Sequence, residues 1–361
     1  MIEPLYSKDI SGCAIFGIIN TKGKPIKGDV ITEAISVMHE RSNGLGGGFA
    51  AYGIYPEYKE YYAFHIMFLD EGIKESVEAY LQEKMVLVKS EDIPIRKKMS
   101  FLNTPILWRY FLEVPQSKLT PKITEEDYVV SIVMNINKRF KGAFVFSSGK
   151  NMGVFKGVGY PEDISRFYRL EEYEGYLWTA HGRFPTNTPG WWGGAHPFAL
   201  LDWSVVHNGE ISSYGINKRY VETFGYECSL LTDTEVIVYL LDLMIRRHRL
   251  PIDIALNALA PPFWSEIDSM EKNMREALTA LRIVYGSALL NGPFSIIIAN
   301  SESMIGLTDR IMLRPFVAAK KDDFVYMASE EAAIREICLE PDAVWSPKGG
   351  EPVVARLEVQ I

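Results

Sequence analysis

Only three of the 361 residues are cysteine, at positions 13, 228 and 338. So few, so scattered, they form neither a disulfide framework nor a zinc site of recognisable spacing, and they fit a reducing cytoplasm. No apolar run approaches the roughly 18–20 residues that span a bilayer. The opening MIEPLYSKDISG lacks the basic start and apolar stretch of a secretory signal. Positive charge is also short, with 38 Lys and Arg against 46 Asp and Glu for a formal net charge of −8. Non-specific nucleic-acid binding depends on cations neutralising phosphates, so this balance argues against a general polyanion binder. We therefore expect no nucleic-acid and no membrane partner. The glycine-rich NGLGGG, with Gly44 to Gly48, is followed by neither GK[ST] nor GxGxxG opening a helix, which excludes a phosphate-binding loop. No internal repeat or polar linker divides the chain.

What is present is a large apolar fraction, 47% of residues, enough for a substantial core. From Cys13, CAIFGIIN reads as a buried strand, and Val30, Ile31, Ala34, Ile35 and Met38 then recur at helical spacing. Residues 55–175 mix a strand-like YYAFHIMF, a charged helical EGIKESVEAYLQEK and the apolar AFVFSS, and read as an insertion plus part of the sheet. Beyond Pro251 a helical stretch broken at Pro261–Pro262 runs to Leu290. FSIIIAN, SMIGLT, FVAA, DFVYMAS and PVVARLEVQ then read as short strands. Strands at both ends with helices between predict one α+β domain.

Candidate chemistry concentrates between Tyr176 and Met244. Arg183, in AHGRFPTNT, ends a predicted strand where the chain turns irregular; its planar fork suits a carboxylate, though an isolated Arg is more often a structural ion pair. In HNGE, Asn208 offers a side-chain NH2 and Gly209 an unobstructed backbone N–H, a pair able to hold an oxyanion. An ordinary Asn-Gly turn before a helix starting near Ile211 explains the same dipeptide. In LLTDTEVIVYLLDLM, Thr232 and Glu235 predict a capping box over a helix with Val236, Ile237, Leu240, Leu241 and Met244 on one face. Asp233 in its first turn suits the helix dipole or a substrate ammonium. Cys13 by itself is a small apolar residue at a strand start. Cleavage after Gly12 would instead give it an α-amine of pKa about 8, close to the thiol's ~8.5 and able to act as its base. His181, His196 and His207 lie near these motifs without metal-ligand spacing and are expected to be core or turn histidines.

A leading Cys, an Arg in AHGRFPTNT, the Asn-Gly of VVHNGEISS and the Ser/Thr-Asp-Thr-Glu of TDTE resemble, in that order, the class II glutamine amidotransferases, whose nucleophile is an N-terminal cysteine. The wording is most similar to the amidotransferase domain of glutamate synthase. The resemblance runs from Cys13 to Met244 and extends through GPFSIIIANSESMIGLTDRIMLRPF. It implies a four-layer αββα sandwich over residues 13–361, with residues 1–12 a propeptide removed by a protease or by Cys13 itself. It also implies Cys13 as nucleophile with its α-amine as base, Asn208 and Gly209 as oxyanion hole, Arg183 for the glutamine carboxylate and Asp233 for its ammonium. Two positions depart from the usual pattern. Ala14 follows the cysteine where glycine is usual, and Ser42 follows Arg41 where glycine is usual, so the ERSNGLGGG loop is expected to shape the pocket differently.

The resemblance further implies a cytoplasmic glutaminase subunit of a glutamate synthase, with no cofactor or metal of its own. FMN, iron–sulfur or nicotinamide chemistry, and the acceptor 2-oxoglutarate, would then belong to a separate flavin-bearing subunit. Two alternatives stay open: delivery of ammonia to a sugar or phosphoribosyl acceptor, and a non-catalytic regulatory homologue that is never processed.

Overall fold

A computed structural model describes residues 12–99, 101, 103–184 and 190–358. The residues expected as a propeptide, apart from Gly12, and residues 185–189 of the Arg183 motif lie outside them. Two antiparallel sheets face each other at the centre of the molecule. Seven strands form one, in the order Ala343–Trp345, Val317–Lys321, Phe324–Ala328, Ala14–Asn20, Leu177–Gly182, Gly47–Tyr52, Met152–Gly157. Five form the other, in the order Phe198–Leu200, Trp203–Gly209, Phe294–Asn300, Ser303–Thr308, Val353–Arg356.

Helices cover both outer faces. Gly28–Ser36, Pro161–Phe167 and Glu331–Ile337 lie on the seven-stranded sheet, and Asp233–Leu241 lies on the five-stranded sheet with Tyr214–Thr223 against it. This is the four-layer αββα sandwich. It explains why FSIIIAN is apolar without alternation. Side chains of a strand point alternately to opposite faces, and here Ile297 and Ala299 enter the core between the sheets while Phe294, Ile296 and Ile298 enter the core beneath the helices. AIFGIIN is buried at every position for the same reason. A Cβ on Gly17 would stand 2.7 Å from the Met304 sulfur, so the sheets close on one another at that glycine.

Within residues 55–175, four strands make a separate antiparallel sheet in the order Val86–Asp92, Ile106–Glu113, Tyr62–Phe68, Ala143–Ser147. Helices Glu71–Lys84 and Glu125–Arg139 pack on it. Met152–Gly157 belongs instead to the seven-stranded sheet. A buried polar chain joins the added sheet to the main one. His65 Nδ1 donates to the Val154 carbonyl (2.9 Å), its Nε2 accepts from the Tyr55 hydroxyl (2.9 Å), and that oxygen accepts from Arg109 (2.9 Å). Burial and the Arg109 charge push the His65 pKa down to about 3, which keeps the ring in the neutral form this chain requires.

Candidate active site

Cys13 immediately precedes the strand Ala14–Asn20, and the register Ala14 opposite Gly182 sets it beside the end of the neighbouring strand. The backbone N–H of Phe184 donates to Cys13 Sγ at 3.3 Å. On the other side Arg41 Nε donates to the Cys13 carbonyl (3.2 Å) while its Nη1 holds Glu330 (2.8 Å). Burial raises the thiol pKa and the Asp233 charge adds to this; the Phe184 bond and the Arg183 and Arg314 charges pull it down but are outweighed. A thiol so placed stays protonated at neutral pH and needs a base to become a nucleophile.

Arg183 is buried, and the loop before Phe49 clamps its backbone from both sides. Its N–H donates to Gly46 O (2.8 Å), and its carbonyl accepts from Asn43 N (3.2 Å) and Ser42 Oγ (3.1 Å). This explains the glycines of NGLGGG, whose purpose the sequence left undefined. A Cβ on Gly46 would lie 3.0 Å from Arg183 Cδ, and one on Gly48 would lie 2.2 Å from the His196 carbonyl oxygen. The Trp191-Trp192 pair packs the facing loop. The Trp191 ring lies over Gly193 and Gly194, where a Cβ would come within 2.3 and 2.5 Å of it, and Trp192 sits edge-on to Phe101 and Phe167. Burial lowers the Arg183 pKa, opposed by Cys13 and Asp233, and a guanidinium remains charged after such a shift.

Asn208 and Gly209 end the strand Trp203–Gly209. Asn208 is fully buried, and its Nδ2 donates to Ser329 Oγ at 3.2 Å. The helix predicted from Ile211 begins only at Tyr214. The intervening N–H groups have other partners: Glu210 N donates to Pro293 O (3.0 Å), Ile211 N to Asp233 Oδ2 (3.0 Å) and Ser212 N to Asn291 O (2.7 Å). Asp233 opens the helix Asp233–Leu241 as expected, with Thr232 Oγ1 accepting from Glu235 N (3.2 Å). The capping box is only half formed. Glu235 turns its carboxylate to Ser229 N (3.0 Å), Leu230 N (2.9 Å) and the Tyr239 hydroxyl (3.1 Å) rather than to Thr232 N. Burial opposes ionisation of Asp233, but His207, Ile211 N and Thr234 outweigh it and hold its pKa below the usual aspartate value.

The structure thus brings Cys13, Arg183 and Asp233 within electrostatic reach of one another, and Asp233 Oδ2 reaches the loop just past Asn208 and Gly209. The three histidines expected as core or turn residues are buried beneath them, and what the sequence did not show is how they connect through Thr234. His181 and His196 stack at 4.1 Å, and His181 Nε2 donates to the His207 carbonyl (2.9 Å). Thr234 Oγ1 contacts His196 Nε2 (2.7 Å), His207 Nδ1 (3.1 Å) and Asp233 Oδ1 (3.2 Å). The histidines therefore brace Asp233 from below. Among the described residues no group of three His, Cys, Asp or Glu side chains is disposed to hold a metal ion, and no helix is long and apolar enough to cross a membrane.

The sequence profile of the class-II glutamine amidotransferases matches residues 57–345. An uncharacterised protein of Archaeoglobus fulgidus is 52% identical over 357 residues, 98% of this chain and 94% of that protein. A Methanothermobacter thermautotrophicus protein, provisionally described as a glutamine amidotransferase, is 24% identical over 90% of this chain and 93% of its own length. The large chain of the Bacillus subtilis NADPH glutamate synthase is 27% identical over 205 residues, which is 50% of this chain and 13% of that enzyme. The chain belongs to the class-II glutamine amidotransferases, and its α+β sandwich is of the N-terminal nucleophile hydrolase type.

Proposed function

We propose that this chain is the glutaminase component of a glutamate synthase, releasing ammonia from glutamine at Cys13 for transfer to 2-oxoglutarate on a partner subunit. The observation that carries the glutaminase half is the charge pattern around one sulfur. A buried guanidinium and an ionised carboxylate, Arg183 and Asp233, both act electrostatically on the Cys13 thiol. They are complementary to the α-carboxylate and α-ammonium of a free amino acid. In the proposed grip the glutamine side chain would be the part presented to the sulfur.

Cys13 in this structure is joined to Gly12 through its nitrogen, so the mechanism begins with hydrolysis of that bond. The freed α-amine takes the Sγ proton, and the thiolate attacks the side-chain carbonyl carbon of glutamine. Negative charge gathers on the amide oxygen, where the Asn208 amide and Gly209 N–H stabilise it. The carbon–nitrogen bond breaks, the protonated α-amine returns its proton to the leaving nitrogen, and ammonia departs. Water activated by the same amine then cleaves the thioester, giving glutamate and free Cys13. The similarity to part of the glutamate synthase large chain favours the glutamate synthase reading, and 2-oxoglutarate is the acceptor that reading implies. FMN and an iron–sulfur or nicotinamide electron donor would be carried by the partner subunit.

Treating purified chain with a glutamine-analogue electrophile and mapping the adduct by mass spectrometry tests the first half; the adduct is expected on an N-terminal Cys13. Labelling elsewhere, or an active chain that still begins at Met1, would overturn it. Co-purification with flavin-bearing synthase subunits, followed by a glutamine-dependent glutamate assay, tests the second. Ammonia delivered instead to a sugar or phosphoribosyl acceptor would replace the glutamate synthase reading and leave the glutaminase intact.

A further inference from the structure

Ser329 lies one residue beyond the strand Phe324–Ala328 and is buried. It grips Ile15 twice. Its N–H donates to the Ile15 carbonyl (3.0 Å), and its Oγ accepts from the Ile15 N–H (3.2 Å). The same Oγ lies 3.2 Å from the Asn208 side-chain amide, which belongs to the opposite sheet. Ser329 is thus the polar link between the strand that Cys13 precedes and the strand that ends in Asn208-Gly209.

The hydrogen-bond inventory decides which way that amide must face to work. With Nδ2 toward Ser329, the serine oxygen accepts two N–H groups, and Asn208 Oδ1 is buried with no partner among the described residues. A buried carbonyl oxygen without a donor is destabilising. Turning the amide through 180° about χ2 pairs that oxygen and leaves the Nδ2 hydrogens as the groups awaiting a partner, one that a developing oxyanion would supply. The Ser329 hydroxyl then donates to Oδ1 while still accepting from Ile15, and both hydrogens of Nδ2 occupy the place where Oδ1 stood. This orientation frees both Nδ2 hydrogens from Ser329, so that the amide can donate to a developing oxyanion on the side away from the serine.

We propose that Ser329 is a positioning residue for the glutaminase reaction: by donating its hydroxyl to Asn208 Oδ1, it holds Nδ2 toward the reacting carbonyl. The inference rests on the glutaminase reading above. It assigns Ser329 no contact with substrate, and it makes the hydroxyl matter through Asn208 alone.

The test compares glutamine hydrolysis by the wild-type chain with Ser329→Ala, Asn208→Ala and the double variant, after mass spectrometry has verified the same N-terminus in each. Ser329→Ala is expected to lower kcat about tenfold or more, with KM within about twofold, because the amino-acid grip of Arg183 and Asp233 is untouched. Against Asn208→Ala it should cost nothing further. Alkylation of Cys13 by iodoacetamide needs no oxyanion donor and should keep its rate. Where Ser329→Ala fails to fold, Ser329→Thr and Ser329→Val carry the comparison, since they match in shape and differ in the hydroxyl; only Thr should retain kcat. An active wild type with unchanged kcat in Ser329→Ala or Ser329→Val overturns the inference, as does an equal further loss in the Asn208→Ala background. A correctly processed wild type that hydrolyses no glutamine overturns the glutaminase reading itself.

Discussion

Gly209 and Pro293 leave no room between them for a side chain: a Cβ on Gly209 would stand 2.0 Å from the Pro293 carbonyl oxygen and 2.8 Å from Phe294 Cα. Gly209 also has φ +144°, which side-chain-bearing residues rarely adopt. The atoms that the Cβ would meet are backbone atoms, so no rotamer change relieves the clash. Gly209→Ala must therefore move the end of the strand, and we expect a lowered Tm and glutaminase activity reduced about 10²-fold. Gly225→Ala is the control, with φ +89° and no atom within 4 Å of the added carbon. It should cost only backbone strain, about 1–2 kcal/mol, and leave kcat unchanged. Equal effects of the two substitutions on Tm and kcat would contradict the steric account.

Lys156 is fully buried, donates to Gly193 O (3.1 Å) and lies 4.1 Å from the centre of the Phe198 ring. Burial pushes its pKa down to about 7, against the pull of Glu235 and with Arg183 adding to the depression. The unfolded lysine titrates near 10.4, so between about 7 and 10 the unfolded chain binds more protons and stability rises with pH. Thermal unfolding of Lys156→Met across that range should lack this rise. Glu235 acts in the opposite sense: burial lifts it to about 7, so its proton stabilises the fold below about 4.3 and that contribution is lost as pH climbs to 7. Glu235→Gln should flatten the acid limb of the same curve.

Asp233→Asn removes the ionised carboxylate while keeping the shape of the side chain. If Asp233 holds the glutamine ammonium, KM should rise about ten- to a hundredfold, the range for losing a charge-assisted bond of roughly 1.5–3 kcal/mol. Cys13 should still react with iodoacetamide. Steady-state kinetics with KM unchanged would remove Asp233 from the substrate site.

The Ser42 hydroxyl joins Arg183 O (3.1 Å) to Gly44 N (3.3 Å). Ser42→Gly deletes two neutral hydrogen bonds, one to Arg183 and one from Gly44, each worth about 1 kcal/mol. The expected result is a KM for glutamine raised at most about fivefold with kcat preserved. A fall in kcat at constant KM would place Ser42 in the chemistry instead.

Much of the architecture was legible because local and tertiary preferences agree. CAIFGIIN and FSIIIAN are apolar at successive positions, as strands buried on both faces must be, and Thr232 does cap the helix that Asp233 opens. The added sheet was harder. Lys89 and Glu91 alternate with exposed Val86 and Val88 on Val86–Asp92, and this strand takes its place only by pairing with Ile106–Glu113. The Glu235 carboxylate and the delayed helix start at Tyr214 were illegible for a related reason: their partners, Ser229, Leu230, Asn291 and Pro293, are chosen by loop path rather than by spacing.

The sequence by itself determined the α+β class and the order in which Cys13, Arg183, Asn208-Gly209 and Asp233 occur, because periodicity and short motifs are local properties of a chain; the sandwich came only through the family that this order of motifs resembles. Only the tertiary structure decided what supports them. Gly46 and Gly48 make room for Arg183 and the His196 carbonyl, the histidines brace Asp233, and Ser329 joins Ile15 to Asn208 from 314 and 121 residues away. Such contacts arise when two sheets close on one another, and a hydrogen bond of 3 Å between distant residues leaves no periodic trace in the order of the amino acids.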